Sequence, residues 1–265
     1  MKRREFASAL GTAALAGISA PLLSGASGKL HLVSLSFDDG FRKSFIRIAE
    51  IYEKFGLSAC FNIIASAHMP GNQVRDDYMK QESFGDFGVW NELQDRGHEI
   101  MPHGYQHAHL ASLPLEEAKG LILKCLDVFS KELRGFDPKK AVFNFPYNES
   151  SPELEEWLPS VVMAYRTRGG IINPVPGPET RRITTGGWGP DNAEKHVDET
   201  VQELLTQAAG WMVYNVHGLD EEGWGPIRPG YLERLLARLR GIDTVRVLPT
   251  ARALMQARGG SYTRA

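Results

Sequence analysis

The stretch HLVSLSFDDG at residues 31–40 decides the fold, because it carries an alternating apolar run into two adjacent acids and a glycine. The run predicts a buried β-strand that ends at Asp38 and Asp39. Neighbouring carboxylates repel each other and resist desolvation, so this placement costs stability unless a cation, a proton or hydrogen bonds compensate. A metal ion beside the strand end is one such compensator.

Strand-like and helix-like segments alternate after this strand, which favours βα units around a parallel sheet. The further strand-like segments are SACFNII (58–64), HEIMP (98–102), AVFNF (141–145), SVVMAY (160–165), WMVYNV (211–216) and TVRVLPT (244–250). Amphipathic helical patterns lie between most of them. At 265 residues the chain is expected to form one α/β domain, a distorted (β/α) barrel with seven or eight strands.

Composition limits the class of function. The hydrophobic content of 42% allows a large core, and the formal net charge is only −2. A nucleic-acid binder usually shows a basic face, so the sequence predicts no nucleic-acid partner. Cys60 and Cys125 both lie in apolar runs, which favours buried packing; a single disulfide between them is the alternative.

The first residues differ in composition from the rest. They have a basic start with Arg3 and Arg4, an apolar middle of small residues, and an end rich in Ser, Gly and Ala. This layout predicts an export signal of the twin-arginine type at residues 1–26, with residues 27–265 forming the folded domain. We therefore expect a periplasmic or extracellular protein without stable membrane insertion once the signal is removed. An uncleaved N-terminal anchor is the alternative.

Polar side chains follow several of the predicted strands, where barrels place their chemistry. After Asp38 and Asp39, the segment HGYQH puts His103 and His107 four residues apart, and His217 follows a later strand. Two imidazoles at this spacing, together with a carboxylate, predict a metal site. Three protein ligands leave open positions on the ion, which is the arrangement of a catalytic site.

At these residues the chain resembles the polysaccharide deacetylases of the carbohydrate esterase class, over roughly residues 30–250. SFDDG (36–40), HGYQH (103–107), FPY (145–147) and NVHG (215–218) match motifs of that family. The resemblance implies a hydrolase that removes acetyl groups from an acetylated glycan. It assigns the divalent metal, usually zinc and sometimes cobalt or nickel, to Asp39, His103 and His107.

The resemblance also implies roles in the reaction. Asp38 would be the general base and His217 the general acid. A backbone N–H near Tyr147 would donate to the oxyanion.

Three positions depart from the family pattern. Asn144 or Phe145 stands where many members carry an arginine that steadies the base, so no cation is expected beside Asp38, and Asn144 is the candidate for a weaker hydrogen bond to it. Asn215 stands at a position that is commonly leucine, which predicts a more polar pocket.

The third departure concerns the acid that orients the catalytic histidine. Thr184 or Thr185 occupies its place, and Asp191 is the candidate to replace it.

Several residues near the strand ends are candidates for substrate contact. Aromatic rings stack on the C–H faces of sugars, which suits Tyr105, Tyr147, Trp188 and Trp224, and the polar candidates are Asn144 and Asn215. The loop HGLDEEGWGP (217–226) is expected to fold over the pocket as a wall, with its acids forming an ordinary solvated charge run.

Two alternatives remain beside a glycan deacetylase. One is a hydrolase of cyclic amides or other small C–N substrates on the same barrel, against which the export signal counts. The other is a non-catalytic glycan-binding barrel, against which the presence of both Asp38 and His217 counts.

Overall fold

The computed structural model describes residues 28–71, 74, 83–191 and 193–259, so the predicted export signal at residues 1–26 lies outside the described residues. Nine strands and seven α-helices are formed within these ranges. The strands are β1 (Leu30–Phe37), β2 (Cys60–Ile63), β3 (Glu99–Pro102), β4 (Val142–Asn144), β5 (Ala164–Arg168), β6 (Ile172–Asn173), β7 (Arg182–Thr185), β8 (Ala209–Val216) and β9 (Val245–Val247). The helices are α1 (Arg42–Lys54), α2 (Phe87–Asp95), α3 (Leu115–Glu132), α4 (Pro152–Trp157), α5 (Ala193–Thr206), α6 (Pro229–Arg240) and α7 (Thr250–Ala257).

The strands form two sheets that curve around a common core. One has the order β3-β2-β1-β8-β6, with β9 also paired to β1, and the other has the order β4-β5-β7. All pairings are parallel except that of β6 with β8. A bridge between Gly186 and Tyr214 joins the end of β7 to β8, and β3 lies beside β4. The predicted α/β class is confirmed, with the barrel interrupted between β3 and β4 instead of closed by a continuous ladder.

The strand that opens the sequence argument is the centre of the larger sheet. β1 is buried from His31 to Phe37 and lies between β2 and β8. Phe45 of α1 stacks on Phe61 of β2 with ring centroids 4.6 Å apart. Both rings are fully buried, and burial of one such side chain contributes roughly 1.5–3 kcal/mol. Phe61 also lies against Phe37, the last residue of β1, so this core packs beside the strand end where the two acids begin.

β5 begins later than the sequence pattern indicates. The segment 160–165 was expected to form this strand, but Pro159 lies in a 3₁₀ turn at Leu158–Ser160, and the ladder starts at Ala164. The strand ends at Arg168, so it includes Arg166. The short strands β6 and β7 were not expected from the pattern.

Both cysteines are free and buried, as the packing interpretation predicts, so the disulfide alternative is wrong. Among the described residues, none of the helices combines the length and the apolar character of a membrane span.

Candidate active site

A cavity of about 490 Å³ opens where β1, β3, β4, β5, β7 and β8 end. The predicted site residues that line it are Asp38, Asp39, His103, His107, Tyr147, Asn215, His217 and Trp224. Its remaining lining residues are Asn148, Glu149, Arg168, Gly169, Thr185, Gly186 and Gly187. The strand ends therefore bring together side chains that lie far apart in sequence.

Three of these side chains form a compact group of metal-ligand type. One ligand atom each from Asp39, His103 and His107 lies within 4.8 Å of the others. Asp39 Oδ1 is 3.4 Å from His103 Nε2 and 3.5 Å from His107 Nε2, and all three residues are buried. Within the described residues, Asp39 Oδ1 has no hydrogen-bond partner. A buried carboxylate oxygen between two imidazole nitrogens fits a divalent cation.

The surroundings of His103 and His107 leave each imidazole with a nitrogen lone pair free to bind a metal. His103 Nδ1 lies 2.9 Å from the backbone carbonyl of Asn144, to which Nδ1–H donates, so the lone pair is left on Nε2. Burial lowers the pKa of His107 to about 4, which keeps the ring neutral. A neutral imidazole is the form that binds a metal.

Backbone strain is concentrated at this cavity. Five described residues other than glycine have a left-handed backbone, and the four that line the cavity are Asp39, His107, Tyr147 and Asn148, with φ values of 82°, 55°, 56° and 54°. Such conformations cost on the order of 1–3 kcal/mol each and persist where the surrounding structure holds them. The fold therefore stores strain to aim these side chains.

Asp38 is held by four hydrogen bonds. Its Oδ1 accepts from Asn62 Nδ2 at 2.6 Å and from Arg166 Nη1 at 2.9 Å. Its Oδ2 accepts from Arg166 Nη2 at 2.5 Å and from Asn215 Nδ2 at 2.6 Å. Burial raises the pKa of the Asp38 carboxyl, but the charge and hydrogen bonds of Arg166, together with the neighbouring His103 and His217, outweigh burial and hold that pKa well below its usual range.

The expectation that no cation lies beside Asp38 is therefore wrong. The cation comes from Arg166 on β5, which is fully buried, and the sequence analysis missed it. The sequence does contain a signal for it, because Arg166 directly follows the apolar run at 160–165. The predicted strand ended at residue 165, however, and this boundary placed Arg166 in a loop.

The predicted roles of Asn144 are also wrong. Its side chain is buried, does not line the cavity and does not contact Asp38. Instead its amide donates to Asn62 Oδ1 at 2.8 Å, and Asn62 donates in turn to Asp38. Asn144 thus orients a second residue that the sequence analysis missed.

Asn215 lines the cavity as a polar side chain. Besides its bond to Asp38, its Oδ1 accepts a 3.3 Å hydrogen bond from Asn148 Nδ2. The amide thus links the rim of the cavity to the Asp38 carboxylate.

His217 follows directly after β8 and lines the cavity. The His217 ring meets the Trp224 ring edge-on, with centroids 5.9 Å apart. His217 Nδ1 is buried and has no hydrogen-bond partner among the described residues. Thr184 and Thr185 donate to backbone carbonyls elsewhere, and Asp191 is exposed. None of these three contacts that nitrogen.

Two of the aromatic candidates lie outside the cavity. Trp188 is 51% exposed, does not line the cavity and stacks on His196 at 4.8 Å. Tyr105 lies under the ammonium of Lys124 in a neighbouring cleft. The sequence analysis did not anticipate the contact of His109, whose ring stacks flat on that of Tyr147 with centroids 3.6 Å apart.

The loop after β8 walls the cavity, as the sequence indicates, and carries Trp224. Glu222 is not a solvated acid. Its Oε2 accepts from the backbone N–H of Ser44 at 3.0 Å and also from the Ser44 hydroxyl, while Leu219 N–H donates to that hydroxyl oxygen at 2.9 Å. Phe41 gives α1 no side-chain cap, so Glu222 satisfies the start of that helix.

Comparisons with known proteins agree with this geometry. A family model described as polysaccharide deacetylase matches residues 26–160, just over half of the chain. The match includes Asp38, Asp39, His103 and His107 and ends before Arg166. A search of curated proteins returned no match.

Solved structures share the fold at low identity. A candidate polysaccharide deacetylase from Mycobacterium smegmatis has 15% identity and a TM-score of 0.65, with 93% of this chain and 98% of that one covered. A family 4 acetyl xylan esterase from Clostridium thermocellum, solved with a cobalt ion, has 19% identity and a TM-score of 0.57, with 87% and 93% covered. The catalytic domain of a peptidoglycan N-acetylglucosamine deacetylase from Eubacterium rectale has 14% identity and a TM-score of 0.56, with 87% and 93% covered.

Proposed function

The chain belongs to the polysaccharide deacetylase family of metal-dependent hydrolases that remove acetyl groups from glycans, and we propose that the cavity at the strand ends is its active site. The observation that carries the proposal is the buried group of Asp39, His103 and His107, which opens into a cavity that also holds Asp38 and His217. A ligand group, an acid–base pair and space for a sugar are thus found together.

We propose that Asp39, His103 and His107 hold the divalent cation. One carboxylate and two neutral imidazoles suit zinc best, with cobalt and nickel as alternatives. A cation bound there supplies a Lewis acid for the acyl carbonyl and lowers the pKa of a water molecule.

The remaining steps fall to side chains of the chain itself. Asp38, kept ionised by Arg166, takes the proton from the attacking water. The backbone N–H of Tyr147 donates to the acyl oxygen as negative charge develops on it. His217 gives a proton to the departing amine or alcohol, so that acetate leaves and the sugar keeps its free group.

Features of the cavity support an acetylated sugar as substrate. The cavity is large enough for a monosaccharide unit, and ligand pockets usually start at about 300 Å³. Trp224 and Tyr147 contribute aromatic rings to its wall, and Asn215 contributes a polar amide. Trp188 has no part in the proposal, because it lies outside the cavity. We further propose that the twin-arginine pattern of residues 1–26 directs the protein out of the cytoplasm, to act on a periplasmic or extracellular glycan.

Acetate release tests the proposal. Purified zinc-loaded protein and a chelated control are incubated with acetylated chitooligosaccharides, peptidoglycan, acetylxylan and a cyclic imide. Chelator-sensitive acetate from one glycan, absent in Asp39→Ala, supports the proposal and identifies the substrate class. Opening of the imide without acetate from any glycan would refute it in favour of small C–N hydrolysis, and metal binding without any turnover would favour a binding role.

A further inference from the structure

We infer that Arg166 of β5 is the positioning residue for Asp38, and that it replaces the arginine that the family resemblance implies at position 144 or 145, near the end of β4. The inference rests on the proposed function, since it concerns the residue proposed as the base. It goes further in assigning the task to a position outside the family motif and outside the residues that the family model matches.

The register between β4 and β5 explains how an arginine on either strand can reach Asp38. β4 and β5 are parallel neighbours, and Asn144 is the registered partner of Arg166. Registered residues on parallel strands point to the same face of the sheet and lie about 4.8 Å apart. A long side chain at either position therefore reaches the same point at the end of β1.

The contacts of Arg166 are those of a residue that fixes a carboxylate. Its two Nη atoms bind the two oxygens of Asp38 separately, a fork arrangement that sets the plane of the carboxylate as well as its position. Nη1 also donates to Ser36 Oγ at 2.7 Å, which ties the guanidinium to β1. Nε has no hydrogen-bond partner among the described residues, so these contacts at the end of β1 hold the head group.

The side chain of Asn144 makes a different contact. Asn144 donates to Asn62 Oδ1, and Asn62 donates to Asp38 Oδ1 at 2.6 Å and to Ser36 Oγ at 2.8 Å. This space is fully buried. A second guanidinium at position 144 would lie against that of Arg166 with one carboxylate to share, and buried like charges repel strongly. The two positions are therefore alternatives, of which a chain uses one.

Transposing the two residues tests the inference. Arg166→Asn, Asn144→Arg and the double variant Asn144→Arg/Arg166→Asn are compared with the native protein in acetate release, zinc occupancy and the Tm of the metal-free protein. Arg182→Asn is the matched control, because Arg182 is an exposed arginine of β7 that pairs with Glu155.

Arg166→Asn is expected to lower kcat on the order of a hundredfold with little change in KM, because the base is displaced while the sugar contacts remain. It leaves Asp38 buried without its cation, so the Tm of the metal-free protein should fall by roughly 10 °C, with zinc occupancy retained. Asn144→Arg alone is expected to be harmful too. The same substitution in the Arg166→Asn background is expected to recover at least about tenfold in kcat and much of the Tm loss.

A double variant no better than Arg166→Asn in kcat and Tm would overturn the inference. If Arg166→Asn does not accumulate as folded protein, recovery of folded protein in the double variant supports it, and failure of both to fold refutes it. The metal-free Tm is independent of turnover, so this result stays separate from the proposed function, which fails only if the native protein releases no acetate.

Discussion

The hydrogen bonds between Glu222 and Ser44, at the start of α1, hold the loop after β8 against the cavity and can be tested directly. Glu222 accepts the backbone N–H of Ser44 in the first turn of α1, where helix N–H groups lack intrahelical partners. It also accepts from the Ser44 hydroxyl, whose oxygen receives Leu219 N–H from the same loop. One acid thereby joins α1, the helix that follows β1, to the loop that carries Trp224.

Glu222→Ala removes a capping-type hydrogen bond, worth about 1 kcal/mol, and a favourable charge at the helix N-terminus, worth about 0.3–1 kcal/mol. The combined loss of about 1–2 kcal/mol corresponds to a Tm decrease of roughly 3–6 °C for a domain of this size. A loosened loop should also weaken the proposed contact of Trp224 with the sugar. If about 1 kcal/mol of that contact is lost, KM rises about fivefold while kcat changes less.

Thermal unfolding and steady-state acetate release measure both effects. Glu221→Ala is the matched control, since Glu221 is the exposed neighbour in the same loop. Glu222→Gln keeps the acceptor and loses the charge, so its effects should lie between those of the control and of Glu222→Ala. Equal Tm and KM values for Glu222→Ala and Glu221→Ala would refute the reasoning, because the contact with Ser44 would then contribute nothing to the wall.

Other expectations concern the ligand group, the acid–base pair and a buried histidine. Asp39→Ala should lose zinc and activity together, whereas Asp38→Asn should keep zinc and lose most turnover; zinc at full occupancy in Asp39→Ala, measured by elemental analysis, would argue against the ligand assignment. His217→Ala should slow acetamide substrates more than aryl acetates, whose leaving groups need less protonation, and equal rate losses on both would remove its role as acid. His98 accepts a backbone N–H through Nδ1, and burial lowers its pKa below the ordinary 6.5. The unfolded chain therefore binds the proton first, so stability that is present above pH 6.5 should be lost as the pH falls through the lower folded-state pKa, with a weaker pH dependence of Tm in His98→Gln.

The sequence predicted the parts of the site that are local in the chain. Asp38 and Asp39 are adjacent, and His103 and His107 are four residues apart, so a single strand end or turn fixes each pair and a motif can describe it. The α/β class followed from alternating segments for the same reason. These features depend on backbone geometry over a few residues, which periodicity captures.

What the sequence did not predict depends on register between distant segments. Arg166 lies 128 residues from Asp38, and its contact requires that β5 begin at Ala164 and pair with β4 in one register. Glu222 lies 178 residues from Ser44 and reads as a surface acid in sequence. In both cases, residue type and local pattern are compatible with a solvated charge, and only the packed fold supplies the buried partner.

The two sides of the proposed reaction have diverged from the family pattern to different extents. On the base side, the motif arginine is absent from β4, but Arg166 and Asn62 together give Asp38 a full set of donors. On the acid side, the orienting acid is replaced by threonines that bond elsewhere, and His217 Nδ1 has no partner among the described residues. An imidazole without an oriented partner is a less effective proton donor, because neither its tautomer nor its ring plane is fixed. Asp38 is therefore held in position by its neighbours, whereas no described residue orients His217. The substrates that this site handles best should be those whose leaving group needs protonation least, which places acetyl esters of sugars ahead of N-acetyl groups.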